Sequence, residues 1–293
     1  MRVPNLFLSL RPSLRGLSYA AFAGFCVALA AVVALRGSMG RAGGGTRIDL
    51  SVYHVTFLDR FQTLSLSAHG PDTVWSAHTP WGGDFGDAAF ANPSPEVFRI
   101  TPQGLSIIAS KTAGGKWRSG LISSAYRDND PHAGFTQKYG YFEMTAELPG
   151  GMGTWPAFWL IGMDKRDFAD EIDVIEYYGG FPRYFHATEH VWVRGRNALL
   201  RSRLVRVPAG LLTSRFNRFG VLITPRTTSF YLNRRRFWST PTPPQYRQPM
   251  YMLADLALGG GWPIGNLTSP LTLRIRQIKV WQRDRPWPRD REN

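Results

Sequence analysis

The chain has 293 residues, 43% hydrophobic and 19% charged, which is enough apolar material for a large core and excludes a disordered or low-complexity protein. Its single cysteine, Cys26, excludes an intrachain disulfide and any cysteine-built zinc site. The net charge of +14 invites a nucleic-acid reading, but five arginines and no acid fall within Met1–Gly45, and the remaining excess is scattered, with Arg234-Arg235-Arg236 as the one triple run. A solvated basic turn accounts for that run better than a phosphate site, so no nucleic-acid partner is expected.

The first element is an export signal. Leu17–Leu35 is 19 residues without a charge, preceded by Arg2, Arg11 and Arg15 and followed by Arg36 and Arg41. A spanning helix needs about 20 apolar residues, whereas a cleaved signal core has about 7–15. By length the segment is a transmembrane signal anchor; Ala28-Leu29-Ala30 offers the alternative of cleavage. Either way, the chain beyond residue 45 is expected outside the cytoplasm, anchored to the inner membrane or secreted. Arg41–Thr46, rich in glycine, reads as a flexible linker.

Beyond it come short strands. Leu105–Ala109, Tyr139–Leu148, Phe219–Ile223, Ser229–Leu232 and Leu271–Trp281 are β-prone and lie between turn signals such as Pro149-Gly150-Gly151, Gly179-Gly180 and Gly259-Gly260-Gly261. In the last strand, Leu271, Leu273 and Ile275 share one parity, while Ile278 and Val280 take the other, so a β-bulge is predicted near Gln277. No long amphipathic helix and no internal repeat interrupts the series. The pattern predicts an all-β fold, a large antiparallel sandwich or jelly roll, as one domain over residues 46–285. The residues after Arg283, polar and proline-containing, are expected to be a disordered tail (286–293 at its narrowest).

One segment carries chemistry. Glu171-Ile-Asp-Val-Ile-Glu176 sets three carboxylates among β-branched apolar residues. In a regular strand Glu171 and Asp173 share a face and Glu176 points away. One bulged residue between Asp173 and Glu176 returns Glu176 to that face, with the acids about 7 Å apart by the two-residue rise. Glutamate arms can then lean toward each other to the roughly 5–5.5 Å that a retaining glycosidase needs. Three carboxylates this close cannot all stay ionised, so at least one pKa rises, and the group that keeps its proton is the general acid. A solvated acidic face would alternate with Lys or Thr instead of Ile and Val, and a calcium loop would draw on Gly, Asn and backbone carbonyls at a turn. These residues alone do not say which glutamate takes which part.

The order of motifs resembles glycoside hydrolase family 16, the laminarinase, lichenase and agarase group. Glu171–Glu176 matches that family's E-I-D-x-x-E signature in its bulged form. Tyr139-Gly-Tyr-Phe-Glu143, Leu148–Leu160 (LPGGMGTWPAFWL), Thr188-Glu189-His190, Leu256–Pro263 (LALGGGWP) and Trp117-Arg-Ser-Gly120 match further family segments, in the family's order, between about Phe57 and Trp281. The resemblance implies a concanavalin A-like β-jelly roll with a sugar cleft on its concave face. It implies retaining hydrolysis of internal β-1,3 or mixed β-1,3/1,4 bonds of a glucan or exopolysaccharide, with Glu171 as nucleophile, Asp173 as its helper and Glu176 as acid/base. It also places Trp155, Trp159 and His190 along the cleft and suggests Trp262 and Trp117 there, since sugar rings present apolar faces that indole walls fit. No cofactor is required; a structural calcium is allowed, since many relatives carry one. A transglycosylase of the same fold and a non-catalytic carbohydrate-binding jelly roll remain as alternatives, and the protein is taken as a monomer. There are departures: Val221-Leu-Ile-Thr-Pro225 lacks the family's tryptophan, Asn233-Arg234-Arg235 replaces its usual D-G turn, and the closing strand reads Arg276-Gln-Ile-Lys-Val-Trp281.

Overall fold

A computed structural model of the chain describes residues 38–41 and 44–287. The apolar segment 17–35, with its expected helix, lies outside the described residues, as does the end of the tail, 288–293. Among the described residues no helix is long and apolar enough to cross a membrane.

The described residues form nineteen strands: β1 (Ser38–Arg41), β2 (Tyr53–Asp59), β3 (Leu66–Ser67), β4 (Trp75–Ser76), β5 (Ala89–Phe90), β6 (Phe98–Thr101), β7 (Gly104–Lys111), β8 (Trp117–Ser119), β9 (Leu121–Ser123), β10 (Gly140–Glu147), β11 (Thr154–Gly162), β12 (Ala169–Glu176), β13 (Tyr184–Val193), β14 (Arg196–Arg206), β15 (Asn217–Ile223), β16 (Thr227–Leu232), β17 (Arg235–Pro241), β18 (Met250–Leu258) and β19 (Leu271–Arg283). One sheet has the order β1-β14-β13-β12-β11-β18-β9-β4-β3; the other runs β17-β16-β15-β10-β19-β7-β8-β5, with β2 added on β19 and β6 on β7. The main hydrophobic core fills the space between them, with Phe142, Met144, Phe158, Ile172, Phe219, Phe230, Met252 and Ile278 all buried. This is the all-β sandwich that the alternating strands predict, and each predicted strand is found within one or two residues of its expected limits.

Two bulges carry the logic of the fold. On β19, Thr145 of β10 faces Gln277 but Ala146 faces Ile275, so Arg276 is the extra residue and the change of apolar parity is accommodated there. On β12, Asp173 faces Thr188 and Glu176 faces His186, so Val174 and Ile175 oppose Ala187 alone. The register with β11 slips at the same place, from Ile175 opposite Phe158 to Asp173 opposite Trp159. Val174 and Ile175 thus both enter the intersheet core, beside Ile172.

The ends differ from expectation. The described residues on either side of 42–43 are paired. Residues 38–41 run parallel along β14, Thr46 O accepts from Arg236 N at 3.0 Å and Ile48 N donates to Arg234 O at 2.9 Å. Edge strands β14 and β17 leave backbone groups to be paired, and glycine permits the approach: a Cβ at Gly45 would lie 1.7 Å from Arg236 O. The first residues of the tail are likewise ordered. Asp284 N donates to Val52 O at 3.0 Å, and the Trp287 ring packs against Tyr53 at 6.4 Å and under Arg283 at 4.7 Å.

Candidate active site

The β12 bulge places Glu171, Asp173 and Glu176 together on the face of the first sheet that points away from the intersheet core. Their neighbours on the flanking strands are fixed by register. Glu171 faces His190, Asp173 faces Thr188 and Glu176 faces His186 on β13, while Trp159 stands opposite Asp173 and Ala157 opposite Glu176 on β11. Cross-strand partners in an antiparallel pair project to the same side, so this row of tryptophan, acid and histidine forms one surface.

Each acid has named partners. Glu176 Oε1 accepts from Trp155 Nε1 at 2.9 Å and from Tyr178 OH at 2.7 Å. Glu171 Oε2 accepts from Trp192 Nε1 at 3.1 Å, and its backbone carbonyl accepts from Tyr246 OH at 2.7 Å. Asp173 Oδ2 lies 3.4 Å from His190 Nε2. Asn197 Nδ2 lies 2.8 Å from His190 Nδ1; with the amide donating, the ring proton sits on Nε2, aimed at Asp173. Beyond them a fourth acid, Asp255 on β18, accepts from Trp159 Nε1 at 2.8 Å and from Ala257 N at 3.0 Å.

The electrostatics follow from burial and crowding. Burial, then the charge of Asp173, raises Glu171 to about 7. Burial, then the charges of Glu176 and Asp255, holds Asp173 well above the usual carboxylate range, against a hydrogen bond with Glu171 that works the other way. Burial raises Asp255 to about 7 as well, and lowers His190 despite the pull of Glu171. Asp173 and Glu171 are therefore linked by that hydrogen bond, and the crowded, buried carboxylates hold protons more tightly than free ones. The nearby imidazole is neutral, and these groups divide into proton holders and charge carriers as acid–base chemistry demands.

Of the aromatic residues singled out, Trp155 and Trp159 lie in an apolar cluster with Tyr178, Tyr251 and Leu253, packed on from outside by Trp81, Phe85 and Trp262. Trp262 meets Phe181 edge-on at 4.7 Å, at the rim of this cluster. Its loop reaches the acids through Gly260, at φ 58°, where a Cβ would sit 2.8 Å from the rings of both Trp155 and Tyr178; only glycine fits there. Trp117 is different. It lies on β8 in the opposite sheet and belongs to the intersheet core, with Lys111 Nζ 5.4 Å over its ring. The structure groups Trp117 with the main core and not with the aromatic cluster around the acids.

Several site residues are not singled out by the sequence reading. Trp192 and Tyr178 each stand two residues from a group that is, His190 and Glu176, so strand alternation alone could have found them. Asp255, a lone acid in the apolar run Met250–Leu258, carried a signal too. Tyr246 and Asn197 had none. Among the described residues no group of three His, Cys, Asp or Glu side chains converges as a metal site, so the allowed calcium finds no such side-chain donor set there.

The family model for glycosyl hydrolases family 16 matches residues 102–270, a span that holds the acid triplet and the glycine loop. Endo-1,3-1,4-beta-glycanase EglC of Rhizobium meliloti (strain 1021) is 32% identical over 264 residues, 82% of this chain and 54% of that protein. Endo-1,3-1,4-beta-glycanase ExsH of the same organism is 31% identical over equal shares. The chain thus spans about half the length of these curated relatives. Among solved structures, SCLam, a non-specific endo-beta-1,3(4)-glucanase from family GH16, shares the fold with a TM-score of 0.67 at 20% identity, covering 83% of this chain and 96% of its own. The bulged acid strand, the family match and the shared sandwich converge: this chain belongs to glycosyl hydrolases family 16.

Proposed function

We propose that the chain is a retaining endo-β-glycanase that hydrolyses internal β-1,3 or mixed β-1,3/1,4 bonds of a glucan or exopolysaccharide. The observation that carries this reading is the bulge at Val174 and Ile175, which brings Glu176 onto the face of Glu171 and Asp173. Glu171 attacks the anomeric carbon. Asp173 hydrogen-bonds to Glu171 and holds its orientation. Glu176, held by Trp155 and Tyr178, protonates the leaving oxygen and then deprotonates the water that releases the glycosyl-enzyme. Trp155, Trp159, His190 and Trp262 line the glycan path. The names of the two Rhizobium relatives, both endo-1,3-1,4-beta-glycanases, support the bond type.

The uncharged stretch Leu17–Leu35 supports an exported domain, tethered to the membrane or released by cleavage, which suits a polymer that cannot enter a cell. The test is release of reducing ends from laminarin, lichenan, agarose, carrageenan and a succinoglycan-type polymer, with Glu171→Gln as the blank. New ends from one polymer, lost by at least about 10³-fold in Glu171→Gln with the fold intact by circular dichroism, are expected. Turnover unchanged in Glu171→Gln overturns the assignment. Products longer than the substrate, formed when short acceptors are added, would move the reaction to transglycosylation.

A further inference from the structure

A buried lysine stands beside the cleft without a part in the proposed hydrolysis. Lys165 lies in the connection between β11 and β12, six residues before Glu171, and its side chain is 3% exposed. Its Nζ donates to Asp128 Oδ2 at 2.9 Å and to Tyr251 OH at 2.9 Å. The same Tyr251 hydroxyl donates to Asp128 Oδ1 at 2.8 Å, so ammonium, carboxylate and phenol close a triangle. A further contact of Nζ is aromatic: it lies 4.1 Å from the ring centroid of Trp81.

Trp81 comes from the irregular segment between β4 and β5. Its ring packs at 5.9 Å, 62° from Trp159, which in turn donates to Asp255. It sits on the outside of the aromatic cluster that covers the acid-bearing face, and it is partly exposed there. A desolvated ammonium against the face of this indole adds a cation–π contact to its packing on Trp159 and helps to fix its tilt. Keeping an ammonium out of water is costly unless it is paired. Burial does lower the Lys165 pKa, while the charge of Asp128 opposes it. A solvent-exposed lysine would hold a surface loop with far less penalty. The burial has a use if the pose of Trp81 matters.

We propose that Trp81 is a sugar-binding platform of the cleft, stacking on a pyranose ring of a neutral β-glycan, and that Lys165 is the positioning residue that fixes its ring through the triangle with Asp128 and Tyr251. This deepens the proposed function and rests on its reading of the cleft as a glycan site. Flat apolar faces of pyranose rings and a pre-set indole match in shape and polarity, and a fixed platform binds more tightly because its ordering is already complete.

The experiment separates the two readings. Reducing-end release by the full chain on the polymer panel tests the proposed function alone. Trp81→Ala, Lys165→Met and Tyr251→Phe are then compared by KM, kcat and retardation in gels containing each polymer. Trp81→Ala is expected to raise KM about tenfold with kcat within twofold, and Lys165→Met to reproduce most of that rise. Tyr251→Phe, which keeps the buried ring and removes only its hydroxyl, is expected to raise KM two- to threefold and keeps the proposal testable if Lys165→Met fails to fold. KM unchanged in Trp81→Ala, or a loss confined to kcat, overturns the platform. KM raised in Trp81→Ala but unchanged in both Lys165→Met and Tyr251→Phe overturns the positioning role. If the chain cuts none of the polymers yet is retarded by one, the proposed function fails on that panel, and loss of retardation in Trp81→Ala still supports the platform. Absence of both cutting and retardation overturns both.

Discussion

Replacing Arg234 by the glycine that the family commonly has at this turn should destabilise the protein. Asn233 and Arg234 form the two-residue connection from β16 to β17, with φ of 50° and 64°. Such a left-handed pair usually recruits Asn-Gly or Asp-Gly, so relief of the arginine's backbone strain favours glycine by about 1 kcal/mol. Glycine's greater freedom in the unfolded chain offsets roughly 0.5–1 kcal/mol of that, and the turn alone is near neutral. The side chain decides the outcome. Arg234 Nε and Nη2 each lie 2.9 Å from the two carboxylate oxygens of Glu143, whose side chain is 0% exposed, and the guanidinium lies 5.3 Å from the centre of the Trp281 ring. Removing one partner of a buried pair costs about 3–5 kcal/mol. Tyr141 OH still donates to Glu143 at 3.0 Å and limits the damage, so a net loss of about 2–4 kcal/mol is expected. At about 2–4 °C per kcal/mol for a domain of this size, Arg234→Gly should melt roughly 5–15 °C lower by calorimetry. Arg234→Lys, a point charge without the fork, should fall between, and Glu143→Gln with Arg234→Gly should recover part of the loss. A drop below about 3 °C for Arg234→Gly would refute the view that the side chain, not the turn, dictates the residue here.

Glu176→Gln should lose turnover, and added azide should restore part of it on an aryl glycoside with a good leaving group, since a small anion needs no base to attack the glycosyl-enzyme; an azide-independent rate counts against retention. With Glu171 near 7 and required ionised for attack, kcat/KM should fall tenfold per pH unit below about 7; a rate flat down to pH 5 would contradict the nucleophile assignment. Asp255 ionises above 3.8 when unfolded but only above about 7 when folded. The folded state therefore holds the proton more tightly, and stability falls as pH rises through that window. Asp255→Asn should remove this slope. At roughly 1.4 kcal/mol per pKa unit, less about 1 kcal/mol for the acceptor lost to Ala257 N, the variant should melt higher than the parent at pH 8 and not at pH 4. Equal melting differences at both pH values would show that Asp255 is ionised throughout.

What was legible in the sequence is what depends on the chain's own periodicity. Ile172, Val174 and Ile175 between three acids announced a buried strand with a bulge, because side chains alternate and a carboxylate cannot enter a core unpaired. The parity change at Arg276-Gln277 announced the second bulge for the same reason, and the order of motifs carried the family. What only the tertiary structure decided depends on which strands become neighbours. Asp255 joins the acids because β18 lies beside β11, 96 residues from the indole it accepts from. Arg234, read as part of a solvated basic turn, closes on a buried glutamate 91 residues away. Trp117, read as a cleft residue, packs with the main core instead of the aromatic cluster around the acids. Lys165 and Trp81 meet across two connections whose paths no local pattern records. Strand alternation tells each residue which side of its strand it occupies; only the strand order tells it what waits there.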